Sequence, residues 1–157
     1  MKSTVNFLLL FVILIPGCDY FTDPEEGSNS TEKIVLDNGI EYSLSVSKFE
    51  FSLRDSLVVS FRVKNNTLIP KKYNFANVQQ LGFKLTNSLK RVALFHPVIV
   101  SPALSSFIVN PGKTKTLTTY THFKDQNGNY ISPGTYILTG YLLDRNSPEL
   151  SLRISVK

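Results

Sequence analysis

The 157-residue chain has no tryptophan, one cysteine and two histidines, and each scarcity removes a class of chemistry. A single cysteine forms no internal disulfide, so a packed core must hold the fold. His96 and His122 have no cysteine, second histidine or carboxylate at ligand spacing, which leaves neither a metal centre nor a nucleophile–base pair. Carboxylates are also sparse: after Phe51 only Asp55, Asp125, Asp144 and Glu149 remain, too scattered for a glycosidase pair. There is no Gly-x-Ser-x-Gly, no His-Glu-x-x-His and no phosphate-cradling loop. Asp125-Gln126-Asn127-Gly128 starts like a calcium loop but lacks its distal glutamate, and reads as a turn. These absences predict a protein that is not an enzyme and carries no cofactor and no metal.

What is present begins at the N-terminus. Lys2 precedes the unbroken apolar run Phe7–Ile15, which is closed by Pro16-Gly17-Cys18. A positive start, a short apolar stretch and a small residue before the break are the parts of a secretory signal. The run is too short to span a bilayer, which takes about 20 residues. The Ile15-Pro16-Gly17-Cys18 ending resembles the bacterial lipobox, a resemblance that implies cleavage before Cys18 and lipid attached to its sulfur. The expected organisation is a signal peptide over 1–17, an acidic flexible tether over 18–32 and a single domain over 33–157. The tether is polar and rich in turn formers, so it buries too little apolar surface to fold alone. The expected location is the cell envelope, with the chain anchored to a membrane by lipid.

Charge is divided along the chain. From Phe51 onward 14 Lys and Arg face four acids, a formal +10, whereas residues 18–50 hold eight acids against Lys33 and Lys48, a formal −6. A basic body beside a lipid anchor suits anionic surfaces, and spread lysines also keep strand edges soluble. An exported chain without a recognition helix or an aromatic RNA-binding motif offers nothing to nucleic acid.

After the tether, alternation of period two recurs and no convincing 3.6-residue period appears. Tyr42, Leu44 and Val46 alternate with serines, and Val59, Phe61 and Val63 with Ser60, Arg62 and Lys64. Leu81/Phe83/Leu85, Tyr136/Leu138/Gly140/Leu142 and Leu150/Leu152/Ile154/Val156 keep the same beat. Tyr73 and Phe75, Phe107 and Val109, and the Thr-rich stretch holding Leu117 and Tyr120 mark further strands. Turn signals every 8 to 15 residues predict an all-β, immunoglobulin-like antiparallel β-sandwich of about eight strands. Gly112 and Gly134, each after a proline, are expected at the third position of type II turns. Gly140 inside a strand suggests a bulge or the close approach of an aromatic ring. Tyr136 is placed to bond back to a loop, in the manner of a tyrosine corner.

The order of motifs from Leu57 to Leu143 resembles the BsuPI-type intracellular proteinase inhibitor domain. The matching residues are Val59-Ser-Phe-Arg-Val-Lys-Asn-Asn-Thr67, Tyr73-Asn-Phe75, Phe83-Lys-Leu85, Asn110-Pro-Gly-Lys-Thr-Lys-Thr116 and Pro133-Gly-Thr-Tyr-Ile-Leu-Thr-Gly140. The family's Trp-Ser segment is missing, and its Ser-Gly-Gln stretch is not evident. The resemblance implies the sandwich fold and, as an alternative function, inhibition of an envelope or extracellular protease.

Two surfaces stand out as sequence candidates. The paired cations Lys71, Lys72 and Lys90, Arg91 mark a binding surface for a protein partner, reached by charge steering and edge-strand pairing. The segment Phe95, His96, Pro97 to Pro102, pinned by two prolines, is the expected inhibitory loop. The leading expectation is a non-catalytic, membrane-anchored lipoprotein presenting a binding domain. A proteinase inhibitor and an envelope assembly scaffold are its rivals. The sequence sets no oligomeric state.

Overall fold

The computed structural model describes residues 30–99, 101–144 and 146–157; the expected signal peptide, Cys18 and the tether up to residue 29 lie outside the described residues. The described chain is all-β, as expected, and none of its elements is a helix able to cross a membrane. Eleven strands form rather than about eight: β1 (Glu32–Asp37), β2 (Ile40–Val46), β3 (Glu50–Phe51), β4 (Ser56–Asn65), β5 (Lys71–Phe75), β6 (Leu81–Asn87), β7 (Val92–His96), β8 (Ser105–Val109), β9 (Thr114–His122), β10 (Gly134–Leu142) and β11 (Leu150–Val156). One sheet runs β1-β2-β4-β9, the other β3-β11-β10-β6-β7, and β5 pairs with β8 in a separate ribbon. All pairs are antiparallel except β3 with β11, so the purely antiparallel expectation fails at that edge.

The alternation seen in the sequence sets the layers. In β4, Leu57, Val59, Phe61 and Val63 are fully buried while Ser60, Arg62 and Lys64 stay partly open. Phe83, Leu85, Leu138, Leu150 and Ile154 fill the facing layer, so each strand gives one side to the core. The sheets touch closely at Gly140, where a Cβ would stand 2.5 Å from Leu44 Cδ1. The neighbour is therefore a leucine of the opposite sheet rather than an aromatic ring. The register runs through Gly140 without a bulge.

Turn chemistry explains the joins. Asn38 (φ 48°) and Gly39 (φ 77°) make the two-residue β1–β2 hairpin, a turn with both central residues at positive φ. Gly112 (φ 68°) sits in the expected Pro-Gly turn, closed by Lys113 N donating to Asn110 O at 3.0 Å. Gly134 departs from expectation: it opens β10 opposite Val156 instead of closing a turn. Tyr136 does bond back, its hydroxyl donating to Ser132 O at 2.5 Å.

Asn65 fastens one end of the sandwich. Fully buried at the close of β4, it donates through Nδ2 to Ile69 O (2.7 Å) and Val109 O (2.8 Å). Its Oδ1 accepts from Thr67 N (2.9 Å) and Thr67 Oγ1 (2.7 Å). One amide thus ties four groups of the β4–β5 loop and the β8 terminus together, among them the buried carbonyl of Val109. The two-residue step from Asn65 to Thr67 is what places both acceptor contacts. Beneath it the hydroxyls of Tyr42 and Tyr73 meet at 3.0 Å, and burial raises both above the ordinary tyrosine range.

Candidate functional site

The two sheets end on the same flank. β1 lies against β11, and β9, the last strand of its sheet, lies against β6 beside the terminal strand β7. Two unpaired strand edges therefore face outward together. Between them runs a groove of about 250 Å³, lined by Val78, Gln79, Gln80, Leu81, His96, Leu117, Thr118 and Thr119.

Register decides which backbone groups face the groove. Asn65 N donates to Lys113 O beside the Lys64–Thr114 pair, which makes that pair a non-hydrogen-bonded one. Alternation along the ladder then turns the N–H and C=O of Thr116, Thr118 and Tyr120 away from β4, toward the free edge. The side chains alternate too: Leu117 and Thr119 point inward, whereas Thr118 and Tyr120 are exposed. Tyr120, which the sequence placed with Leu117, is 70% exposed on the other face.

His96 closes the groove in its middle. It ends β7 opposite Phe83, and its ring stacks on that phenylalanine with centroids 5.3 Å apart and planes 14° apart. Nε2 lies 3.0 Å from Thr119 Oγ1, one hydrogen bond across the gap between the sheets. Burial holds its pKa below the ordinary 6.5, so the ring is neutral at pH 7. Ser101 braces the lining segment from behind: its N donates to Gln79 Oε1 (3.0 Å) and its O accepts from Val78 N (3.2 Å). Gln80 Nε2 donates to Ser105 Oγ at 3.2 Å, and Ser105 Oγ donates to Asn77 O at 2.7 Å. The lining offers amides, hydroxyls and apolar side chains and no charge. That chemistry suits a neutral ligand rich in hydrogen-bonding groups, such as peptide backbone.

The sequence candidates are spread out. Lys71 and Lys72 are exposed on β5 near Asn65, through the Lys71–Val109 pair and the Asn65–Val109 bond. Lys90 and Arg91 occupy the β6–β7 turn, where Asn87 pairs with Tyr136 near the start of β10. Those are opposite ends of the sandwich, so the four cations form no single surface. The expected inhibitory loop is also shorter than read. Phe95 and His96 belong to β7, paired with Lys84 and Phe83, and only Pro97 onward is loop; Pro102 is exposed on it. Pro97 marks the end of a strand, which the sequence reading took for the irregularity of the whole segment.

Gln79, Gln80, Thr118 and Thr119 were not singled out from the sequence. Neutral polar residues carry no spacing signature, and His96 meets Thr119 only through tertiary register. The Thr-rich run of β9 was the available signal, since a strand without apolar alternation is one that a sheet does not cover.

No family model matches the chain, and no curated protein matches it. Solved structures with partial likeness include a β-glucosidase from Erythrobacter marinus, with TM-score 0.48 and 15% identity, over 75% of this chain and 15% of that one. An alkylpurine DNA glycosylase from Pseudomonas fluorescens gives TM-score 0.48 and 15% identity, over 82% and 31%. The sporulation control protein Spo0M from Bacillus subtilis gives 0.49 and 11%, over 77% and 50%. The chain thus spans half or less of the length of each. Likeness at this level carries no inference about activity.

Proposed function

We propose that this chain is a non-catalytic binding module, held at a membrane of the cell envelope by lipid on Cys18, whose ligand is an extended peptide segment added along β9. The observation that supports it is the free edge of β9 opening onto an uncharged, amide-lined groove. An incoming strand would pair with the outward groups of Thr116, Thr118 and Tyr120, while the groove takes alternate side chains. His96, neutral and fixed on Phe83, sets the depth of that groove.

Thr118→Pro tests the reading. Proline removes an N–H that faces away from β4, so the β4–β9 ladder keeps its bonds. Random-peptide phage selected on the full-length protein should be retained by the wild type and lost on T118P, with the fold intact by circular dichroism. Equal retention on both proteins would remove β9 as the docking edge.

A further inference from the structure

The described chain joins the sandwich at one particular end. Thr31 O accepts from Val46 N at 2.9 Å and Glu32 pairs with Ser45, so Ser30 stands where β2 finishes. Ser56 pairs with His122 there, and Gly134 with Val156. Phe51, the partner of Val156, packs on Phe123 with centroids 5.3 Å apart. The turns 52–55 and 88–91, the segment 123–133 and Lys157 all belong to this end.

Its charge is one-sided. Leaving aside Glu32, which Arg62 holds at 3.1 Å, Lys48, Arg54, Lys90, Arg91, Lys124 and Lys157 lie on it, against Glu50, Asp55 and Asp125. Two of the acids are taken by cations, Lys157 Nζ to Glu50 at 2.8 Å and Lys48 Nζ to Asp55 at 2.6 Å. Asp125 turns inward on its own loop, accepting from Asn127 N and Asn129 N at 2.9 Å. Arg54, Lys90, Arg91 and Lys124 are exposed and enter no ion pair among the described residues. Leu89, 71% exposed, projects from the same end on a turn stiffened by Asn87 Oδ1, which accepts from Leu89 N and Arg91 N at 3.0 Å. A stiff apolar tip on an end that also carries four exposed cations outside any ion pair, Lys124 lying over the Tyr130 ring at 4.9 Å, is the chemistry of a headgroup-level contact.

We propose that this end docks on an anionic lipid surface, with Arg54, Lys90, Arg91 and Lys124 against the headgroups and Leu89 inserted among them. The proposal rests on Cys18 as the anchor for its geometry. Residues 19–29 reach at most about 40 Å when fully extended, and they join the fold at this end, so it is the end the tether holds nearest the bilayer. The opposite end mixes signs, with Asp37, Glu41 and Asp144 beside Lys71, Lys72 and Lys113. Asp19, Asp23, Glu25 and Glu26 of the tether are the rival occupant of the same cations.

The test uses full-length, membrane-purified protein in phosphatidylcholine vesicles with or without phosphatidylglycerol, each vesicle carrying a headgroup-level quencher. Single probes are placed at Leu89→Cys and Leu68→Cys, both on exposed turns or loops. Flotation with neutral vesicles at high salt reads the anchor alone. Quenching reads the docking: the Leu89 probe should be quenched severalfold more than the Leu68 probe when phosphatidylglycerol is present. That difference should vanish at high salt and in R54E/R91E. A floating protein whose two probes are quenched alike overturns the docking and leaves the anchor standing. Shielding of Leu89 that is equal in neutral vesicles assigns the end to the acidic tether and also overturns it. A protein that fails to float on neutral vesicles removes the anchor; salt-sensitive flotation on anionic vesicles with Leu89 quenched still supports the docking, and no flotation there overturns it.

Discussion

β4 and β9 run side by side through nine residue pairs, yet they do opposite things with their side chains. β4, flanked by β2 and β9, buries Leu57, Val59, Phe61, Val63 and Asn65. β9 has a partner on one side alone, and most of its residues are exposed threonine, lysine or tyrosine. The contrast separates two kinds of information in one ladder. Side chains that a second sheet covers specify the fold, while the uncovered backbone of the neighbouring strand is left to meet something else.

The sharpest way to break that contrast is to damage β4. Phe61→Ala deletes a fully buried ring and should cost about 3–5 kcal/mol, lowering the urea midpoint with an unchanged m-value. A loss below about 1 kcal/mol would mean that β4 is no more central than β9.

Asn65→Ala comes next. It leaves the buried bond to the Val109 carbonyl and the bond from Thr67 N unmade, while Ile69 O keeps the Thr67 hydroxyl, for a loss of about 2 kcal/mol. Amide exchange should quicken first in the β4–β5 loop and the adjoining end of β8. Uniform exchange across the sandwich would deny Asn65 its local role.

Gly140→Ala probes the facing sheet. Its new methyl would collide with fully buried Leu44, which has no free direction to move, at about 1–3 kcal/mol. Pairing it with Leu44→Ala should cost less than the sum of the two single changes, and simple additivity would place the strain elsewhere.

The smallest effect is titration at the edge itself. The folded state holds His96 below its ordinary pKa of 6.5, so the unfolded chain takes up the proton first as pH falls. Stability conferred by the neutral ring is therefore complete above 6.5 and is lost progressively below it, down to the depressed folded value. Thermal melts of the wild type should fall in that window, while those of His96→Gln should show less of the fall. Identical profiles would uncouple the groove from the fold.

The inward face of this protein was legible and its outward face was not. Val59, Phe61 and Val63, or Leu152, Ile154 and Val156, announce themselves because burial demands one apolar residue in two. β1 went unread although Asn38-Gly39 is a strong hairpin signal, since Glu32, Lys33 and Asp37 dilute a strand that is half exposed along its length. The domain boundary expected at residue 33 falls one residue inside β1. Lys71 and Arg91 looked alike as cations, and only register shows them at opposite ends. The groove was beyond reach for the same reason: its residues become neighbours through the order of strands.

The hairpin that brings the chain into the fold has a mechanical consequence. Its turn lies at Asn38-Gly39, and its open mouth lies where Thr31 bonds to Val46. A pull transmitted through the residues before Ser30 therefore reaches β1 before any other strand, starting at the Thr31–Val46 bond. β1 contributes six half-exposed residues and none of the fully buried core. It can yield as a sacrificial latch while the layers behind it stay closed, and pair again when the tension drops.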